Sequence, residues 1–173
     1  MKDTNASKAM SRRSFLDYSI RAIGAFITAV VAVPIIGYVI SPVFAKRESQ
    51  WVQVGAVNDF KVGEPKSVDF NLFRKDGWIE VSEKKTVWVV RQSDQTFNLF
   101  NPRCTHLGCA YNWDAQVKQF GCPCHGALFD LTGKVTAGPP PRGLDTLEYK
   151  IEGSQLSCIF QDFLLGVQDK IAS

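Results

Sequence analysis

The longest feature in the hydrophobic pattern of this chain is residues 22–45, a run without a single charged side chain. At about 1.5 Å of rise per residue, a helix of that length crosses the roughly 30 Å apolar layer of a bilayer. Pro34 lies inside the run, which a membrane helix tolerates. A short charged link, residues 46–50 (KRESQ), follows, and from Trp51 the pattern changes. Short stretches rich in Val, Phe, Trp and Thr alternate with polar residues and are punctuated by Gly, Pro, Asp and Asn. The alternation predicts strands at 51–54, 67–72, 78–81, 86–90, 96–100, 147–151 and 155–160. Glu152-Gly153-Ser154 predicts a hairpin turn between the last two. No window in 51–160 carries a helical period of useful length. The expected architecture is therefore all-β, an antiparallel head on one transmembrane helix. Residues after Phe160 show no clear pattern and are compatible with packing on the head or on a partner.

Charge sharpens this organisation. The formal +3 of the chain resides before residue 22, where Lys2, Lys8, Arg12, Arg13 and Arg21 face only Asp3 and Asp17. The rest is electrically balanced, which argues against a nucleic-acid surface on the head. Hydrophobic residues make up 45% of the chain, typical of a globular protein and too few for a polytopic membrane protein. Basic residues ahead of the apolar run predict a single pass in a bacterial cytoplasmic membrane, in contact with lipid, with the N-terminus inside and the head outside. Ser11-Arg12-Arg13-Ser14-Phe15-Leu16 resembles a twin-arginine export signal, a route that carries proteins already folded. Val43-Phe44-Ala45 has the character of a cleavage site, but the length of the run favours an uncleaved anchor. The expected domains are a cytoplasmic tail (1–21), an anchor (22–45), a link or hinge (46–50) and a head (51–173).

The candidate chemistry is concentrated. Both histidines and four of the five cysteines fall within residues 104–125. They form two boxes, Cys104-Thr105-His106-Leu107-Gly108-Cys109 and Cys122-Pro123-Cys124-His125. Thiolates and imidazoles together suit iron–sulfur, zinc or copper. Structural zinc sites usually pair two cysteines first and two histidines later. Here each box supplies one Cys and one His, an arrangement that serves a binuclear cluster with one iron on sulfur and the other on nitrogen.

The two boxes, C-T-H-L-G-C and C-P-C-H-G, resemble those of the Rieske proteins of cytochrome bc-type quinol oxidoreductases. The resemblance extends to the Gly138-Pro139-Pro140 turn and to the plan of tail, anchor, link and head. It implies a β-sandwich head with a cluster-binding part at about 101–143, carrying one 2Fe–2S cluster. By position, Cys104 and Cys122 ligate one iron and His106 and His125 the other. Cys109 and Cys124 match the pair that forms a disulfide between the two loops, and an exported head is where a disulfide persists. Leu107 matches the apolar docking tip. His125 is the expected hydrogen-bond partner of quinol and acceptor of electron and proton, with His106 also exposed. Cys158 is left over, and its alternating strand marks it as a small buried residue.

Where high-potential relatives carry a Ser and a Tyr after the second box, this chain has Ala127 and Phe129. Neither donates a hydrogen bond, and donors to cluster sulfur favour the reduced state. The expectation is a lowered potential matched to menaquinol, unless Thr105, Tyr111 or Thr132 supplies a replacement hydroxyl. The implied partners are quinol, a cytochrome b-type subunit and a c-type cytochrome. The alternative function is the Rieske subunit of another exported oxidoreductase, such as arsenite oxidase. A soluble Rieske ferredoxin is disfavoured by Cys109, Cys124 and the apolar run.

Overall fold

The computed structural model describes residues 11–44, 50–76 and 79–173. It divides into two units, residues 1–48 and 49–173. The tail before Ser11 and most of the link lie outside the described residues.

Among its described residues the first unit is one helix, α1 (Arg12–Phe44). Ser11 caps it: the Ser14 amide donates to Ser11 Oγ at 3.2 Å, and the Phe15 amide to the Ser11 carbonyl at 2.9 Å. The helix starts ten residues before the uncharged run, so Arg12 and Arg13 stand in its first turn. Pro34 does not end it. Its apolar side chains point in every direction, and Thr28 satisfies its own hydroxyl on the Gly24 carbonyl at 2.8 Å. A helix with no polar face has no stable place in water, and the segment Arg12–Ser41 is long and apolar enough to cross a membrane.

The second unit is built from antiparallel sheets. One contains β1 (Trp51–Ala56), β10 (Gln155–Ile159) and β9 (Glu148–Glu152), with β10 in the middle. A second orders β2 (Lys66–Asp76), β3 (Ile79–Arg91) and β4 (Phe97–Phe100). The third is a four-strand meander, β5 (Asn112–Asp114), β6 (Gln119–Cys122), β7 (Ala127–Phe129) and β8 (Val135–Ala137). The hairpin expected at 152–154 joins β9 to β10. The runs expected at 78–81 and 86–90 are one continuous strand, β3.

Two cores result, and β3 serves both. Val87 and Val89 join Phe60, Phe97, Leu99, Leu156 and Cys158 in a sandwich between the first two sheets. Trp88 and Val90, the alternate residues, join Tyr111, Phe120, Phe129, Cys104 and Cys122 in the core beneath the metal-ligand boxes. Period-two geometry sends successive side chains to opposite faces, and here both faces are dry. This is why 86–90 (TVWVV) reads as a nearly unbroken apolar run rather than an alternating one.

The residues after Phe160 return to the head. Phe163 enters the sandwich core, and the segment pairs with itself at Phe163 and Ala172.

Candidate metal centre

The first box is a tight loop. The Gly108 amide donates to the Cys104 carbonyl and the Cys104 amide to the Cys109 carbonyl, each at 2.8 Å. Its stem is closed by a bridge between Arg103 and Ala110. The second box is the connection of the β6–β7 hairpin, in which Cys122 pairs with Ala127 and residues 123–126 form the turn. Gly126 completes that turn at a φ of +67°, a conformation costly for other residues.

The two loops meet with their ligand atoms sorted by depth. Cys104 and Cys122 are buried and carry free thiols, while His106 is half-buried and His125 exposed. The imidazole rings stand edge to face with centroids 4.8 Å apart. Cys109 and Cys124 are joined by a disulfide, tying one loop to the other. The Cys122 sulfur lies within 4.8 Å of both disulfide sulfurs, but an oxidised pair offers no thiolate, so this trio is not itself a metal site.

Burial pushes the Cys104 thiol up to about 11; the His106 and Leu107 amides that point at its sulfur oppose the rise, and the adjacent Cys122 thiol adds to it. A positive charge beside the Cys104 sulfur would offset that rise. Iron supplies that charge, and amides already aimed at sulfur suit the thiolate that results. The donor set therefore fits a mixed cluster: sulfur inside, nitrogen at the surface, each loop giving one of each. Leu107 projects beside His106 with 62% of its surface exposed.

Around this pair of loops the fold leaves little slack. Gly138, at a φ of +95°, brings the proline turn so close to the second loop that a Cβ there would sit 2.6 Å from Ala127 Cα. Ala127 and Phe129 are both buried beneath the second box. The three hydroxyls that could stand in for a missing donor are all engaged elsewhere. Tyr111 donates to the Asn101 carbonyl at 2.7 Å, Thr105 to the Arg142 carbonyl at 2.8 Å, and Thr132 to Asp130 at 2.6 Å. Tyr111 is also held neutral by its burial, beside Cys104 and Asp145.

Cys104, His106, Leu107 and Cys109 lie in the first loop, Cys122, Cys124 and His125 in the second, and Ala127 and Phe129 directly beneath it, whereas Cys158 lies in the sandwich core. Sequence reasoning missed Arg142 and the segment 164–167, which contact the first loop from outside, and Asp145, which pairs with Arg142. Their contacts run largely through main-chain carbonyls, which leave no trace in residue identity.

Residues 50–148 match the model of the Rieske [2Fe-2S] domain. Among named relatives, the chain is 34% identical to the menaquinol:cytochrome c reductase iron-sulfur subunit of Bacillus subtilis (strain 168), over 83% of this chain and 87% of that one. It is 32% identical to the protein of the same name from Geobacillus thermodenitrificans, over 85% and 89% of the two chains. It is 31% identical to the cytochrome b6-f complex iron-sulfur subunit of Chlorobaculum thiosulfatiphilum, over 84% and 73%. The chain belongs to the Rieske [2Fe-2S] family.

Proposed function

We propose that this chain is the iron–sulfur subunit of a membrane quinol:cytochrome c oxidoreductase, in which Cys104 and Cys122 hold one iron of a 2Fe–2S cluster and His106 and His125 the other. The observation that carries the reading is the paired imidazoles at the surface over a buried thiol pair, the loops locked together by Cys109–Cys124. When bound, the cluster supplies one-electron redox chemistry. The protein supplies access and a proton site. A free ring nitrogen of exposed His125 accepts a hydrogen bond from the quinol hydroxyl and takes up its proton, with the half-buried His106 beside it. Leu107 gives the tip an apolar surface on which a cytochrome b-type subunit can seat the head. The electron leaves for a c-type cytochrome, so the chain is not catalytic alone.

Menaquinol is the favoured substrate. Ala127 and Phe129 lack donors, and the nearby hydroxyls of Tyr111, Thr105 and Thr132 are engaged elsewhere. Fewer hydrogen bonds to sulfur lower the potential toward that of a low-potential quinol. Helix α1 anchors the head outside the cytoplasmic membrane, exported through the Arg12-Arg13 signal.

Chain purified from its native membrane should contain two irons and two acid-labile sulfides. In the reduced state it should give the low average g value of mixed Cys/His ligation. A stoichiometric zinc with no iron would overturn the assignment.

A further inference from the structure

We propose that Arg142 is a positioning residue for the first cluster loop, acting through a C-terminal strap, residues 164–167, that it ties against Thr105 and His106. The inference rests on the ligand assignment above and extends it to residues outside both boxes.

Arg142 follows the three prolines, and its side chain is only 10% exposed. Its Nε donates to Asp145 Oδ1 at 2.9 Å and its Nη2 to Oδ2 at 2.8 Å, a forked pair with a carboxylate that is itself buried. The guanidinium then reaches further. Nη2 also donates to the Leu164 carbonyl at 2.6 Å, and Nη1 to that of Val167. An ion pair needs none of these last two bonds. They fasten the strap at both ends of a four-residue span.

The strap in turn grips the first loop. The Gly166 amide donates to the Thr105 carbonyl at 3.0 Å. The Thr105 hydroxyl, on the other side, donates to the Arg142 carbonyl. Thr105, which stands between the two ligands of this box, is therefore held at two polar groups: its hydroxyl by the Arg142 carbonyl directly, and its carbonyl by Gly166 of the strap that the Arg142 side chain ties. Leu165 packs so closely on Gly108 that a Cβ there would fall 2.7 Å from its Cδ1. A Cβ on Gly166 would lie 3.4 Å from the His106 carbonyl. The far side of the strap is pinned by Lys170, whose Nζ donates to the Thr146 carbonyl at 2.6 Å.

The disulfide fixes the first loop only at Cys109. The peptide between Thr105 and His106 sets where that imidazole points, and the strap is what holds it. Outer contacts of this kind orient metal ligands and tune the metal. Lysine retains the charge beside Asp145 but cannot present the planar fork that serves a carboxylate and two carbonyls at once.

The test compares wild type, Arg142→Lys and Leu165→Ala as full-length, membrane-purified protein. Leu165 is half-exposed, and its truncation leaves both cores intact. Both variants should keep two irons per chain yet shift the g values of the reduced state. For Arg142→Lys the midpoint potential should move by at least threefold in the one-electron equilibrium constant, about 30 mV at roughly 59 mV per tenfold. Leu165→Ala should shift it less. Native g values and potential in both variants, with only a lower Tm, would overturn the proposal and leave the strap as scaffold. A wild type without the mixed-ligand signal would instead overturn the ligand assignment, and this proposal with it.

Discussion

The Tyr111 hydroxyl donates to the Asn101 carbonyl at 2.7 Å, beneath the metal-ligand loops and facing away from any role as a donor to sulfur. With Thr105 and Thr132 likewise engaged, residues 127 and 129 are where donors can be restored.

Ala127→Ser and Phe129→Tyr should each raise the cluster's potential, and the double change more. A hydrogen bond to a charged acceptor is worth on the order of 1.5–3 kcal/mol in a favourable case. At roughly 1.4 kcal/mol per 59 mV, shifts of several tens of millivolts are expected. Redox titration measures them directly. Unchanged potentials in both correctly folded variants would remove the argument for menaquinol.

Removing the inter-loop disulfide should loosen the centre without removing a ligand. Cys109 and Cys124 are 15 residues apart, and closing a loop of about that length is worth roughly 3 kcal/mol in the chain-entropy model. Cys109→Ser or Cys124→Ser should lower the Tm and speed loss of the visible absorbance on dilution into chelator. A cluster as long-lived as wild type in either variant would show that the loops need no tie.

Export should depend on the first turn of α1. Arg12→Lys with Arg13→Lys should strand the head on the cytoplasmic side, as read by protease accessibility in spheroplasts. Mature wild-type protein should retain its N-terminal residues. A mature N-terminus at Lys46 would contradict the anchor while leaving the export route standing.

Cys158 should be inert in the folded protein. It is fully buried in the sandwich core, and burial pushes its thiol up to about 12. Native protein at pH 8 should resist iodoacetamide at this residue and react once denatured. Because the folded value is raised, the associated stability is whole below about 8.5, the ordinary thiol value, and declines as pH climbs toward 12. Cys158→Ser places a hydroxyl among apolar groups and should cost about 1–3 kcal/mol. A Tm equal to wild type for that variant would contradict the burial argument.

Much of this molecule is legible in residue order. Period-two runs located β1, β2, β4, β9 and β10, each a short stretch of alternating side chains bounded by turn residues. Strands β5 to β8 escaped, since three or four residues are too few for a period and their positions are occupied by ligands and turn residues. The two Cys/His boxes marked a metal centre through residue type and spacing, and their resemblance to Rieske boxes supplied the cluster. The engagement of Tyr111, Thr105 and Thr132 could not be read, because a hydroxyl's partner is a matter of three-dimensional placement. The same holds for Arg142, whose acceptors include two carbonyls more than twenty residues away.

Residues 87–90 of strand β3, walled by a core on each side, leave no room for error in pairing. A slip of one residue would turn Trp88 into the space shaped for Val87 and Val89, and bring a valine where the indole meets Phe120 edge-on at 5.4 Å. In a sheet with one wet face such a slip exchanges apolar for polar; here it would overfill one core and hollow the other at once. The loops that carry Cys104 and Cys122 rest on the second of those cores. Correct alignment of a strand that touches no ligand is thus a precondition for two thiols, eighteen residues apart in sequence, to find themselves side by side.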